Sequence, residues 1–254
     1  MLVALTIYGQ SMLGAPSIVK DVQNISNTTN STTGRIGLFG TFLIASGLST
    51  FVNLANSGCL AGDGLVYESK SGLYKRIYQL KSGDIVRTMY GESEVIMISD
   101  NSNEEYNLFT TIETETGHTI SLTPHHLIPI FENGILTFVH ADRVDLNDFV
   151  YLSDGLISLK MKVKAIKHEI KVGYYSPITA DGTILVNNIV ASVYARINNH
   201  HIAHFSNAPM RWYYRIMKYF DIDEPFHTSA NGQKHWMHTL LIQLGKAFTP
   251  QLFI

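Results

Sequence analysis

Ile77-Tyr78-Gln79-Leu80-Lys81-Ser82-Gly83-Asp84-Ile85-Val86 and Ala141-Asp142-Arg143-Val144-Asp145-Leu146-Asn147-Asp148-Phe149-Val150 are two versions of one turn-plus-strand unit. In both, an aspartate (Asp84, Asp148) closes a polar turn and an apolar β-forming run begins at the next residue. A unit that recurs in this way predicts two related halves packed into one β-domain. The surrounding sequence agrees. Short runs rich in Val, Ile, Thr and Tyr, at 65–67, 84–88, 94–98, 109–113, 119–123, 149–152, 162–166 and 182–186, are separated by turn residues. No helical pattern of 10–15 residues lies between them, which excludes βαβ units. Residues 65–195 read as all-β.

Beyond residue 195 the period changes to 3.6. Met210, Tyr213, Tyr214, Met217 and Phe220 fall on one helix face, Arg211, Arg215 and Lys218 share another, and Pro209 sits in the first turn. Trp236, Leu240, Leu241, Leu244 and Phe248 repeat the design. Two aromatic-rich amphipathic helices are expected, packed on the β-domain or lying on a membrane surface. At the other end, residues 24–32 hold three glycosylation sequons, which any Asn/Ser/Thr-rich loop would also produce. Residues 36–55 carry no charge. They have the length of a membrane span, but Gly, Ser, Thr and Asn dilute their hydrophobicity. Three regions follow: an N-terminal segment (1–56) with no recognised domain and a signal-like or membrane stretch, a β-domain (57–195) and a helical region (196–254).

The formal net charge of −2 sets up no field that would recruit nucleic acid. A single cysteine, Cys59, rules out an intrachain disulfide framework and any Cys-based zinc site. The pairs His125-His126 and His200-His201 have no acidic or thiol partner at ligand spacing, so no metal is expected. The lone thiol follows Gly58 and precedes the turn Leu60-Ala61-Gly62-Asp63-Gly64. Glycine leaves its carbonyl unhindered and admits strained backbone angles, which suits attack by the next residue's thiol. The second half of such a site is Thr119-Ile120-Ser121-Leu122-Thr123-Pro124-His125-His126, an alternating strand that runs into a Thr-x-x-His turn. Taken singly, a core thiol and a turn histidine would look the same.

As a set, these features resemble the C-terminal autoprocessing region of hedgehog proteins, a Hint (hedgehog/intein) domain followed by a sterol-recognition region, across residues 57–254. Gly58-Cys59-Leu60-Ala61-Gly62 is similar to the family's junction block, and Thr123 and His126 stand at the positions of its Thr-x-x-His block. Ser93-Glu94-Val95-Ile96-Met97-Ile98-Ser99-Asp100 looks like the segment that carries the aspartate for sterol transfer. Pro177-Ile178-Thr179-Ala180-Asp181-Gly182-Thr183-Ile184-Leu185-Val186-Asn187, leading to Ala191-Ser192-Val193-Tyr194-Ala195, is similar to the late block, and 202–211 to the start of the sterol-recognition region. The sequence departs from the family twice. Val193 stands where hedgehogs usually have a second cysteine, and residues 1–58 are too short, and of the wrong composition, for the signalling domain.

The resemblance implies a two-half Hint β-fold with a C-terminal helical extension, and a single-turnover cysteine autoprocessing chemistry. Cys59 would attack the carbonyl of Gly58, His126 would protonate the departing nitrogen and Thr123 would orient it. Asp100 would activate a sterol hydroxyl that takes up the acyl group of Gly58. Met210, Tyr213, Tyr214, Met217, Phe220 and Trp236 would meet the sterol. Cholesterol or a related sterol enters as co-substrate and no cofactor is expected. The expected partners are the sterol, a membrane surface and the chain's own N-terminal segment, in the endoplasmic reticulum of the secretory pathway. Two other readings stay open at this point: resolution of the thioester by water or another nucleophile, and an inert membrane-associated Hint scaffold.

Overall fold

A computed structural model describes residues 59–222 apart from 133, 155–157 and 196–198, together with Phe226, Thr239, Leu240 and Gln243. Gly58, Trp236, the three sequons and the stretch 36–55 lie outside the described residues. The strands are β1 (Leu60–Ala61), β2 (Leu65–Glu68), β3 (Leu73–Arg76), β4 (Ile85–Thr88), β5 (Gly91–Thr114), β6 (Thr119–Leu122), β7 (Leu127–Glu132), β8 (Ile135–His140), β9 (Phe149–Ser153), β10 (Ser158–Thr179), β11 (Thr183–Val186) and β12 (Ile189–Ser192). Two helices follow, α1 (His200–Ser206) and α2 (Ala208–Tyr219).

The repeated sequence unit is a repeated structure. Each half consists of a hairpin (β2–β3, then β7–β8), a 3₁₀ turn (Ile77–Gln79, then Ala141–Arg143), a short strand (β4, then β9) and a long one (β5, then β10). The two aspartates do the same work. Asp84 accepts from the Lys81 N–H at 3.1 Å and Asp148 from the Asp145 N–H at 2.7 Å, each closing the turn ahead of its strand. Their carbonyls take the Val95 and Val163 N–H groups at 2.8 and 3.0 Å. The 3₁₀ turns are anchored alike. Ile77 and Tyr78 donate to the carbonyls of Gly64 and Gly62, while Ala141 and Asp142 donate to those of His126 and Pro124. By this correspondence the Gly-rich turn after Cys59 and the Thr-x-x-His turn occupy equivalent places in the two halves.

The halves meet along their long strands. β5 and β10 pair antiparallel from Val95↔Thr179 to Thr114↔Val163. β1 pairs with β10 and with β6, and β6 pairs with β5, so β1, β6, β5 and β10 form a closed ring of pairings. From the sequence, 94–98 and 109–113 are two strands with a polar stretch between them. The structure corrects this: β5 is continuous, and Asp100, Asn101, Ser102 and Asn107 are buried within it. A polar run can hold a strand when the ladder satisfies its backbone, and hydrophobic alternation does not report that. Strand β7 was missed for the opposite reason: Leu127–Ile130 is buried on both faces and shows no alternation. The hairpin β11–β12 turns through Asn187 and Asn188 at φ 50 and 66°, the two positive values of a type I′ turn.

One apolar core spans both halves. It includes Val95, Ile112, Ile120, Ile184 and Ile189, and it continues into Ala203, Met210, Tyr214 and Phe226. The helical region is therefore packed on the β-layer across the 195/196 boundary. Burying Met210 and Tyr214 there contributes roughly 2–3 kcal/mol each. Among the described residues, no helix is long and apolar enough to cross a membrane.

Candidate active site

The Cys59 backbone is held by Thr123 through one side-chain and one backbone hydrogen bond. The Cys59 N–H donates to Thr123 Oγ1 at 2.9 Å, and the Thr123 N–H donates to the Cys59 carbonyl at 3.0 Å. Both residues are buried, Cys59 completely. The amide nitrogen that begins Cys59 is thus fixed by a hydroxyl from the other half of the fold. Thr123-Pro124-His125-His126 forms a β-turn closed by the His126 N–H to the Thr123 carbonyl (2.9 Å), with Pro124 at the position where its fixed φ favours the bend.

That turn sends its two histidines apart. His126 is buried, and its Nε2 lies 2.7 Å from the Ser192 carbonyl, which can only accept. Nε2 therefore carries the hydrogen, and in the neutral ring Nδ1 is the basic nitrogen. His125 is half-buried and faces Asp142, with Nδ1 3.9 Å from its carboxylate. Of the two, only His126 is buried.

Strand β10 links Cys59 to Asp100. Leu60 on one side and Asn101 on the other both oppose Tyr175, which places Cys59 and Asp100 on opposite edges of β10 near Ser176. The Ser176 hydroxyl donates to Cys59 Sγ at 3.3 Å, and the Ser99 hydroxyl donates to the Ser176 carbonyl at 3.1 Å. Tyr174 packs with Cys59, Ala61 and Phe109, and its hydroxyl donates to Glu105 at 3.1 Å. Burial, then the charges of Asp100, Glu105 and Cys59, hold its phenol well above the ordinary range. Sequence reasoning gave no part to Ser176 or Tyr174, because a serine and a tyrosine in a β-run carry no spacing signal.

The family model described as a Hint module matches residues 48–250. The chain belongs to the Hint module family. This Hint module is similar to the hedgehog protein of Drosophila virilis, 31% identical over 205 residues that cover 72% of this chain and 42% of the relative. It is also similar to the Sonic hedgehog protein of Danio rerio, 32% identical over 206 residues that cover 75% of this chain and 49% of the relative. The chain spans less than half the length of these relatives. Among solved structures, the gp41-1 intein is 19% identical with a TM-score of 0.45, covering 54% of this chain and 99% of the intein.

The module's helices place the residues expected to meet a sterol on two different faces. Met210 and Tyr214 are buried in the protein's own core, and Met217 is half-buried. Of the two alternatives for this face, packing on the β-domain holds for Met210 and Tyr214. Tyr213 and Phe220 are exposed. A face not singled out from the sequence is exposed as well: Trp212, Arg215, Ile216 and Tyr219 line a shallow hollow of about 260 Å³. The run from Trp236 to Phe248 lies, but for three residues, outside the described residues. Val193, where the family usually carries its second cysteine, is buried in the apolar core. Among the described residues, no group of three or more His, Cys, Asp or Glu side chains is arranged to hold a metal ion.

Proposed function

We propose that this module cuts its own chain before Cys59 and transfers the upstream segment to a sterol hydroxyl. The observation that carries the reading is the mutual clamp between Cys59 and Thr123, which grips the amide nitrogen that must leave. The Cys59 thiolate attacks the Gly58 carbonyl, the C–N bond breaks and a thioester forms. A cysteine of ordinary pKa, near 8.5, is only partly ionised at pH 7. The Ser176 hydroxyl at Sγ stabilises the thiolate. His126 Nδ1 takes up the proton that the Cys59 thiol gives up and delivers it to the departing nitrogen, which Thr123 holds in place. In the second step Asp100 takes the proton of the sterol hydroxyl as it attacks the thioester, the C–S bond breaks and Cys59 leaves as a thiolate. Tyr213, Phe220 and the Trp212–Tyr219 face offer the apolar surface for the sterol, next to a membrane surface in the secretory pathway.

The test is the intact mass of the purified chain after incubation with dithiothreitol and, separately, with cholesterol in detergent. Dithiothreitol is expected to release residues 59–254, and cholesterol to release the same piece together with an N-terminal segment heavier by one esterified sterol. A chain that stays whole in both would overturn the reading. Cleavage by dithiothreitol with only an unmodified N-terminal acid in the cholesterol sample would mean that water resolves the thioester.

The two turn histidines give a sharper check. His126→Ala is expected to slow cleavage by dithiothreitol and by cholesterol alike, by roughly 10²–10⁴-fold, the scale of a lost general acid. His125→Ala, which loses a half-exposed contact with Asp142 and an edge-on contact with the His140 ring, should keep most of both activities. Gel-based rates for the two variants decide the matter, and the reverse ranking would place the acid one residue earlier in the turn.

A further inference from the structure

His126 is held by a series of bonds that starts in α1. Its Nε2–H donates to the Ser192 carbonyl. The Ser192 hydroxyl is fully buried, accepts from the Tyr194 N–H at 2.9 Å and lies 2.9 Å from His200 Nδ1. A buried hydroxyl hydrogen requires an acceptor, and Nδ1 is the one these contacts supply, so the hydroxyl donates to His200. Burial, with His201 and His204 close by, lowers the pKa of His200 to about 4, which keeps the ring neutral and its lone pair in place near pH 7.

The bond from the Tyr194 N–H to Ser192 Oγ spans two residues and forms a serine turn at the end of β12. The carbonyl that receives His126 lies inside this turn, so the side-chain rotamer of Ser192 and the aim of its carbonyl are set together. His200 is in turn fixed by the helix it opens. Asn199 caps α1 by accepting the Ile202 N–H at 3.1 Å, and the His200 ring stacks on Phe138 with centroids 4.0 Å apart. One turn further on, His204 Nδ1 lies 2.9 Å from the Tyr194 hydroxyl, and Arg211 of α2 donates to that hydroxyl and to the His204 carbonyl. Docking of the helical region thus converges on Ser192 and Tyr194, the residues that set the backbone against His126.

We propose that His200 is a positioning residue for the first acyl shift: through Ser192 it holds His126 in the Nε2–H tautomer, and it makes that tautomer depend on the seating of α1. The inference rests on the role proposed above for His126. Its consequence is that the helical region contributes to thioester formation as well as to sterol contact, because an undocked α1 leaves the Ser192 hydroxyl without its acceptor and the serine turn free to re-aim.

The test uses two variants that separate the acceptor from the packing. His200→Phe keeps an aromatic ring on Phe138 but removes Nδ1, while His200→Asn places an amide oxygen where Nδ1 was. Ring ¹⁵N signals of His126 are read in the full chain carrying Cys59→Ala, in which no cleavage intervenes. The parent is expected to show the Nε2–H tautomer, His200→Phe a mixture, and His200→Asn the parental pattern. With Cys59 present, dithiothreitol cleavage should slow about 3- to 10-fold in His200→Phe, the scale of one ordinary hydrogen bond, and recover in His200→Asn. Unchanged His126 signals in a folded His200→Phe chain would overturn the inference. If that variant does not melt cooperatively, Ser192→Ala removes the same link at little cost in volume and carries the same readout. Because the ring signals need no cleavage, a parent chain that never cuts itself would defeat the proposed function while the spectrum still decides this inference.

Discussion

Cys59→Ala is expected to leave the chain of 254 residues uncut under dithiothreitol, hydroxylamine and cholesterol alike, a complete loss rather than a slowing. Cys59 is the chain's single cysteine, so no other thiol can take over, and alanine has no group able to form an acyl intermediate. The structure makes the outcome easy to read. Cys59 is fully buried beside Ala61, Phe109 and Tyr174, and removing its sulfur takes away one small group and the acceptor of the Ser176 hydroxyl, at a cost of about 1–2 kcal/mol. The clamp to Thr123 is made by the Cys59 backbone and survives the change. A melting curve near that of the parent, with no cleavage product, assigns the loss to chemistry. If a piece comprising residues 59–254 still appears, Cys59 is an inert core thiol and another group does the cutting.

The second large effect is a split at Asp100. Asp100→Ala is expected to lose roughly 10²–10⁴ in cholesterol-dependent cleavage, the range for removal of a general base, and to cleave under dithiothreitol at near the parental rate. A sterol hydroxyl is a weak nucleophile that has to shed its proton as the new C–O bond forms. A small thiol is partly ionised by itself and needs no base. The burial of Asp100 within β5 gives weight to a competing explanation, a structural carboxylate whose loss would disable both assays together. Asp100→Asn separates the two: it keeps the shape and most of the hydrogen-bonding capacity but cannot take up a proton. Loss of cholesterol cleavage in both variants, with dithiothreitol cleavage intact, supports the base. Cholesterol transfer at the parental rate in Asp100→Asn would remove Asp100 from the mechanism.

Legibility differed from place to place for physical reasons. The doubling of the fold was readable because each half starts its short strand from the same capped turn, and an aspartate that accepts a backbone N–H three residues earlier leaves a local signature. The Thr-x-x-His turn was readable for the same reason, since Pro124 presets its bend. The continuity of β5 through Asp100–Asn107 was hidden, because those polar residues are held by pairing with β10, which is far away in sequence. On α2 the 3.6 period located an apolar face. It could not say whether that face turns to the core or to lipid, and the exposed Trp212, Ile216 and Tyr219 were not seen as a surface at all.

The sequence by itself determined an all-β domain of two related halves with a Gly-Cys junction and a Thr-x-x-His turn, since these rest on local turn chemistry and strand propensity, and its motifs as a set resemble those of the Hint family. Only the tertiary structure decided that Thr123 grips the nitrogen of Cys59, that Ser176 stands at its sulfur, and that Ser192 and His200 lie behind His126. Each of those contacts joins segments brought together by the pairing of β1 with β6 and β10, by the bridge between His126 and Ala195, or by the packing of α1. Nothing in the spacing of one chain reports a hydrogen bond made across such a distance.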